Sequence, residues 1–261
     1  MRRAPASLLL ALTIVLLGLA GPAAAQERRP TTPPPRPAPT DRIFIAVDGT
    51  YQAGTKDFSD SESFASNAET ATYSGTYNVK PGPAFNISGS GRVTRVFAVG
   101  IGVSRYTRET PIAVTASIPH PFFFNRPRSL SDTVNGNREE LAVHVQARAL
   151  LPLNSRRMQA AVYAGPSFFS VKQDVITRVG FAEAYPYDSI TSAPGQMSNV
   201  SKSKVGFNAG ADVAYFFTRQ VGVGGTAQYA GTTIQEPSAG GDDVDMKVGG
   251  FQVGGGLRLR F

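Results

Sequence analysis

Apolar side chains recur at every second position through eight separate stretches of this chain, and the residues between them are too polar to line a closed apolar core. Ile43, Ile45, Val47 and Tyr51 alternate with Phe44, Ala46, Asp48, Thr50 and Gln52. Phe85, Ile87 and Val93 stand against Asn86, Ser88, Ser90 and Arg92, and Phe97, Val99, Ile101 and Val103 against Ala98, Gly100, Gly102 and Ser104. Further on, Leu141, Val143 and Val145 oppose Ala142, His144, Gln146 and Arg148; Val162, Ala164 and Phe168 oppose Tyr163 and Ser167. The series continues with Val205, Phe207 and Val213 against Asn208 and Asp212, then Val221, Val223 and Tyr229, and a last stretch from Met246 to the end. A period of two puts alternate residues on opposite faces of a strand, so each stretch meets two different surroundings.

In a water-soluble barrel the larger apolar residues point inward. Here the second face collects Gly, Ser, Asn, Gln, Asp and Arg, and an unpaired polar set of that kind is costly to bury in an apolar core. The apolar face is therefore the outer one, and a continuous exposed band of it is stable only in lipid. Connection lengths agree. Turns near Thr94-Arg95, Asn154-Ser155 and Thr218 to Gln220 are short, whereas the other connections are long and polar. That asymmetry, with strands of about 10 residues, belongs to barrels with short periplasmic turns and long extracellular loops. The predicted fold is all-β: an antiparallel up-and-down transmembrane β-barrel over residues 41–261. Eight strands are expected, or ten if a fifth hairpin lies in the first or second long connection. Alternating strand direction places Phe97, Tyr215 and Phe261 at the periplasmic rim. Tyr51, Phe85, Phe168, Phe207, Tyr229 and Phe251 then fall at the outer rim.

Residues 1–25 read as an export signal, with Arg2 and Arg3 before the apolar run Leu8 to Ala20 and the small residues Ala23 to Ala25 after it. That run falls short of the about 20 apolar residues that a spanning helix needs. Residues 26–40 hold six prolines, which favour an extended tether without ladder hydrogen bonds. The chain has no Cys, which excludes disulfides and thiolate metal sites. Its net charge of +7 is dispersed and accompanied by no nucleic-acid-binding motif, so no nucleic-acid partner is expected.

The chain ends Leu257-Arg258-Leu259-Arg260-Phe261. With Leu257 and Leu259 at alternate positions before the final Phe261, this terminus resembles the signal read by the bacterial barrel-assembly machinery. Together with the eight alternating segments, it makes residues 41–261 similar to the OmpA-like, opacity-protein-like small barrels of the bacterial outer membrane. The resemblance implies export to that membrane, contact with its lipid and lipopolysaccharide, and the assembly machinery as a partner in biogenesis.

Inward parity collects Asp48, His144, Arg148, Asp212, Arg258 and Arg260. The carboxylates and guanidinium groups are expected to pair as a plug in a narrow lumen; a small diffusion channel is the alternative. An enzyme acting on membrane lipid is the remote alternative, because His120 and His144 are the only histidines available as a base. Neither has a serine two residues away. The run Phe122, Phe123 and Phe124 in the second long connection is a candidate contact for an apolar surface ligand of unknown identity. Asp242, Asp243 and Asp245 in the last long connection are weak candidates for a divalent ion, lacking any calcium-loop spacing. No cofactor is expected. The leading function is structural or surface-interacting.

Overall fold

The computed structural model describes residues 41–54, 56–237 and 243–261. Segments 1–25 and 26–40 lie outside the described residues. Ten strands are present: β1 (Ile43–Ala53), β2 (Lys56–Ser66), β3 (Glu69–Val79), β4 (Gly82–Arg92), β5 (Phe97–Ile118), β6 (Arg128–Leu151), β7 (Met158–Glu183), β8 (Ile190–Phe216), β9 (Val221–Pro237) and β10 (Asp243–Arg260). All pairings are antiparallel. Eight strands close a ring in the order β5-β4-β1-β10-β9-β8-β7-β6, with β6 pairing back onto β5. Closure leaves no unpaired edge in lipid, where an unmade backbone hydrogen bond is costly.

The other two strands form the extra hairpin. β2 and β3 occupy the first long connection, and β3 pairs onto the upper part of β5 from Thr72↔Ser117 to Tyr77↔Ile112. Its first strand, Lys-Asp-Phe-Ser-Asp-Ser-Glu-Ser-Phe-Ala-Ser, carries too few apolar residues to declare itself by pattern.

Two of the connections expected to be long and polar, residues 110–137 after the third alternating stretch and 173–200 after the fifth, are mostly strand. β5 and β6 stay paired out to Ile118↔Arg128, and β7 and β8 out to Glu183↔Ile190. The inner face changes character along them. Ala98, Gly100, Gly102 and Ser104 line β5 low down, whereas Ile112, Val114, Ala116 and Ile118 are the buried residues of the same parity higher up. The outer face changes in the opposite sense, from Val99, Ile101 and Val103 to Arg105, Thr107 and Glu109. Below the crossover the strand is dressed for lipid outside and polar groups inside; above it, for water outside and an apolar core inside.

This upper part is an extracellular head. Its core gathers Ala71, Tyr73 and Tyr77 of β3, Ile112 to Ile118 of β5, Leu130 of β6, Ile176 of β7 and Ile190 of β8, with Phe58 stacked on Tyr77 at 4.4 Å. β6 and β7 pair only up to Arg138↔Gln173, so above that level the hairpins separate and face each other across the core.

Accessibility should follow these boundaries. On intact cells, protease is expected to cut within 119–127 and 184–189 while 110–118 and 128–137 stay protected. A thiol probe should label a Cys placed at Phe124 and not one placed at Ser155. Labelling at Ser155 from outside would reverse the orientation.

Candidate functional site

The lumen is filled by side chains in tiers. At the periplasmic end Phe44 and Phe216 meet edge to face at 6.2 Å, above Arg260, whose guanidinium lies 3.9 Å from the Phe216 ring centre. Arg260 also donates to the carbonyls of Arg219 (2.7 Å) and Arg156 (3.2 Å), tying the last strand to two periplasmic turns.

The next tier is the ion cluster. Arg258 Nη1 donates to Asp48 Oδ1 at 2.6 Å, and its Nη2 and Nε donate to Asp212 Oδ2 at 2.6 and 3.1 Å. All three residues are buried. β1, β8 and β10 bring these groups together, because inward parity on each strand fixes which side chain enters the lumen. Arg148, expected among these ion pairs, lies instead between the rings of Phe44 (5.5 Å) and Tyr163 (5.1 Å), with Ser90 Oγ at 3.5 Å. Its neighbours are π faces, which attract a guanidinium.

His144 sits between two hydroxyls that the sequence does not place beside it. Ser104 Oγ is 2.9 Å from Nε2 and Ser167 Oγ 2.7 Å from Nδ1. Asn208 Nδ2 donates to the same Ser167 hydroxyl at 2.8 Å and to the carbonyls of Gly165 (3.0 Å) and Pro166 (3.1 Å). Pro166 lacks an N–H, and the β6–β7 ladder opens beside it, where the Asn208 amide donates to the neighbouring carbonyls. A Ser–His pair is the start of nucleophilic machinery. Here the imidazole is fully buried and both its nitrogens are engaged with hydroxyls rather than with a carboxylate that would orient it.

Above it, amides run as a directional chain. Tyr163 Oη donates to Gln228 Oε1 (3.1 Å), Gln228 to Gln252 (2.9 Å), Gln252 to Gln52 (2.8 Å) and Gln52 to Glu140 Oε2 (3.3 Å). Glu140 also accepts from Arg138 Nε (2.7 Å), Lys56 Nζ (3.1 Å) and the Gly249 amide (2.9 Å). Lys56 opens the extra hairpin, so the first residue of β2 is bonded to a lumen carboxylate of β6. Sequence reasoning missed this tier. Glu140 follows Glu139, which forms an outward ion pair with Arg105 at 2.9 Å, and only parity distinguishes their fates.

The outer surface of the ring is apolar, with Ile43, Phe97, Ile101, Phe168, Phe207, Leu257 and Phe261 exposed along it. Tyr51, Phe85, Tyr229 and Phe251 are exposed there too, and Phe207 and Tyr229 touch at 5.6 Å. Leu259 pairs with Ile45, and the backbones of Phe261 and Ile43 exchange hydrogen bonds of 2.9 Å each, closing the ring at its periplasmic end.

In the head, Asp132 accepts from the Ser192 hydroxyl, joining β6 to β8, and that bond and the Thr133 amide hold its carboxyl below the usual carboxylate range. Asp174 is held low as well, by Asn199 and then by the Asn137 amide. At the far tip Phe122 is 69%, Phe123 54% and Phe124 72% exposed, beside Tyr185 at 88%. Of the weak ion candidates, Asp242 lies outside the described residues, Asp243 is placed by its backbone opposite Pro237, and Asp245 is exposed opposite Gln235. Among the described residues no cluster of three or more His, Asp or Glu forms.

A closed ring with lipid-facing apolar residues, short turns at one end and a polar filled interior defines an integral barrel of the bacterial outer membrane. The chain belongs to the outer membrane protein beta-barrel domain family, whose model matches residues 39–258. Among curated proteins none matches the chain by sequence. Similar solved structures include the outer membrane protein OprG of Pseudomonas aeruginosa (12% identity, TM-score 0.44, covering 84% of this chain and 96% of that one). Neisserial surface protein A shows 13% identity and a TM-score of 0.41, covering 84% and 97%. The attachment invasion locus protein Ail of Yersinia pestis, in complex with the heparin analogue sucrose octasulfate, shows 13% identity and a TM-score of 0.38, covering 84% and 99%.

Proposed function

We propose that this protein is a non-conducting outer-membrane anchor whose task is to hold a rigid contact surface outside the cell. The observation that carries this reading is the reversal of polarity along β5 to β8: β5 and β6 leave the lipid with their pairing unbroken, β7 and β8 do so through register shifts between Ile176 and Gly180, and together they form a head with its own apolar core. A barrel that served only as a conduit has no use for such a head. The groups around Arg260, Arg258 and Glu140 support the same reading, since each places charged side chains with hydrogen-bond partners on the inner side of the ring. Burial of His144 between hydroxyls supports a non-catalytic role. On their composition, residues 1–25 direct export and the Pro-rich segment 26–40 is a periplasmic tether.

Planar-bilayer recording tests the proposal. Purified full-length mature protein is expected to give no steady unitary conductance at neutral pH. Reproducible single-channel steps from the unmodified protein would replace this reading with that of a narrow diffusion channel.

A further inference from the structure

The tip of the head carries the rings of Phe122, Phe123 and Phe124 from one turn and of Tyr185 and Tyr187 from another, beside the buried ring of His120. Phe123 lies 4.9 Å from the His120 ring and Phe122 6.2 Å from it; Phe122 meets Tyr187 at 5.4 Å, and Tyr187 meets Tyr185 at 6.3 Å. The surface is held in place from beneath. Arg128 is buried and donates to the carbonyls of Pro119 (2.8 Å) and Tyr187 (3.0 Å) and to Glu183, clamping the β5–β6 turn to the β7–β8 turn. The β2–β3 turn joins them through Asn67 Nδ2 to the Pro119 carbonyl (3.1 Å) and Glu69 Oε1 to the Asn125 amide (2.9 Å). Tyr187 holds a φ of 71°, uncommon for a ring-bearing residue, while its carbonyl is gripped by Arg128.

Resting on the reading of the head as a contact surface, we infer that this aromatic tip docks into the interfacial region of a second, facing phospholipid bilayer. Three observations select lipid. The Phe rings have no polar atoms, and two of the main-chain donors beside them are already used: the Phe122 amide bonds His120 Nδ1 (3.1 Å) and the Asn125 amide bonds Glu69. A partner that asks for no hydrogen bonds is hydrocarbon. The flanking tyrosines supply the ring-with-hydroxyl type that concentrates at the bilayer–water boundary. Charge is complementary as well, because the Arg126 guanidinium sits 5.6 Å from the Phe123 ring centre and no carboxylate among the described residues pairs with it. It would reach lipid phosphate when the rings enter the acyl region.

Geometry excludes the protein's own membrane. Ile118 at the top of β5 is thirteen residues beyond Arg105, where the lipid-facing surface ends. At about 3.4 Å per residue and a tilt near 40°, the tip stands roughly 30 Å above the lipid.

The chain has no Trp, so Phe123→Trp creates a single fluorescent reporter. The full mature variant, held in nanodiscs of unlabelled lipid, is mixed with phosphatidylcholine vesicles with and without brominated acyl chains. The expected result is a blue shift of Trp emission on adding vesicles and several-fold quenching by the brominated lipid. Phe122→Ser with Phe124→Ser in the same background should abolish both, while heat-modifiable migration shows the barrel intact. An emission unchanged at all vesicle concentrations overturns the inference. So does a blue shift that depends on protein concentration alone, which marks a second copy as the occupant, and so does quenching that survives the double substitution. Conductance of the same variant reports separately on the anchor reading, so the two can fail independently.

Discussion

Replacing Arg258 with Met is expected to destabilise the barrel by about 3–5 kcal/mol, the usual cost of stripping one partner from a buried ion cluster. Arg258 is the one cation that Asp48 and Asp212 share through hydrogen bonds, and without it two carboxylates face each other in a space closed to water. Urea titration in lipid vesicles, read by the heat-modifiable shift on gels, measures the loss. The triple variant Arg258→Met, Asp48→Asn, Asp212→Asn should recover most of it, because neutral amides at those positions no longer need a counter-charge. Arg148→Met should cost less than Arg258→Met, since Arg148 leans on rings and a serine hydroxyl. Equal losses for the two single variants would show that the cluster around Arg258 does not dominate.

Deleting Phe261 is expected to lower the yield of membrane-inserted, heat-modifiable protein several-fold, whereas deleting residues 30–39 should leave it nearly unchanged. Two effects combine. The deletion removes a residue that accepts from the Arg42 (2.6 Å) and Ile43 amides and donates to the Ile43 carbonyl, at the point where the last strand meets the first. By resemblance, it also removes the residue read by the assembly machinery, together with the alternation of Leu257 and Leu259 that frames it. Quantifying folded and unfolded bands in outer-membrane fractions checks this. Similar yields from the two deletions would count against any special role of the terminus.

The ring was legible because lipid demands alternation, and Phe97 to Val103 answers it without exception while Ile43 to Tyr51 departs from it only at Gly49 outside and Phe44 inside. The head was not, although its strands alternate just as strictly. Ile112, Val114, Ala116 and Ile118 occupy the inward parity, separated by Ala113, Thr115 and Ser117, so a reading that requires apolar residues outside sees only a mixed, polar stretch. β2 offered still less, with Phe58 and Phe64 as its large apolar residues among Asp, Glu and Ser. Within the lumen, parity named Asp48, Asp212 and Arg258 as neighbours of some kind, but which guanidinium takes which carboxylate depends on the stagger between strands. The same stagger brings Ser104 and Ser167 to His144 from positions 40 and 23 residues away, a relation no local spacing encodes.

The unbroken pairing of β5 with β6, from Phe97↔Ala149 to Ile118↔Arg128, also has a mechanical consequence. A pull on the tip acts along the axes of both strands at once. To yield, the hairpin would have to slide past β4 on one side and β7 on the other, loading rows of backbone hydrogen bonds in shear together instead of unzipping them singly. With no hinge between tip and ring, tension outside the cell passes directly into a closed cylinder seated in the membrane. On the proposed reading of the head as a contact surface, the molecule is stiff along the one direction in which a tethered surface would drag it.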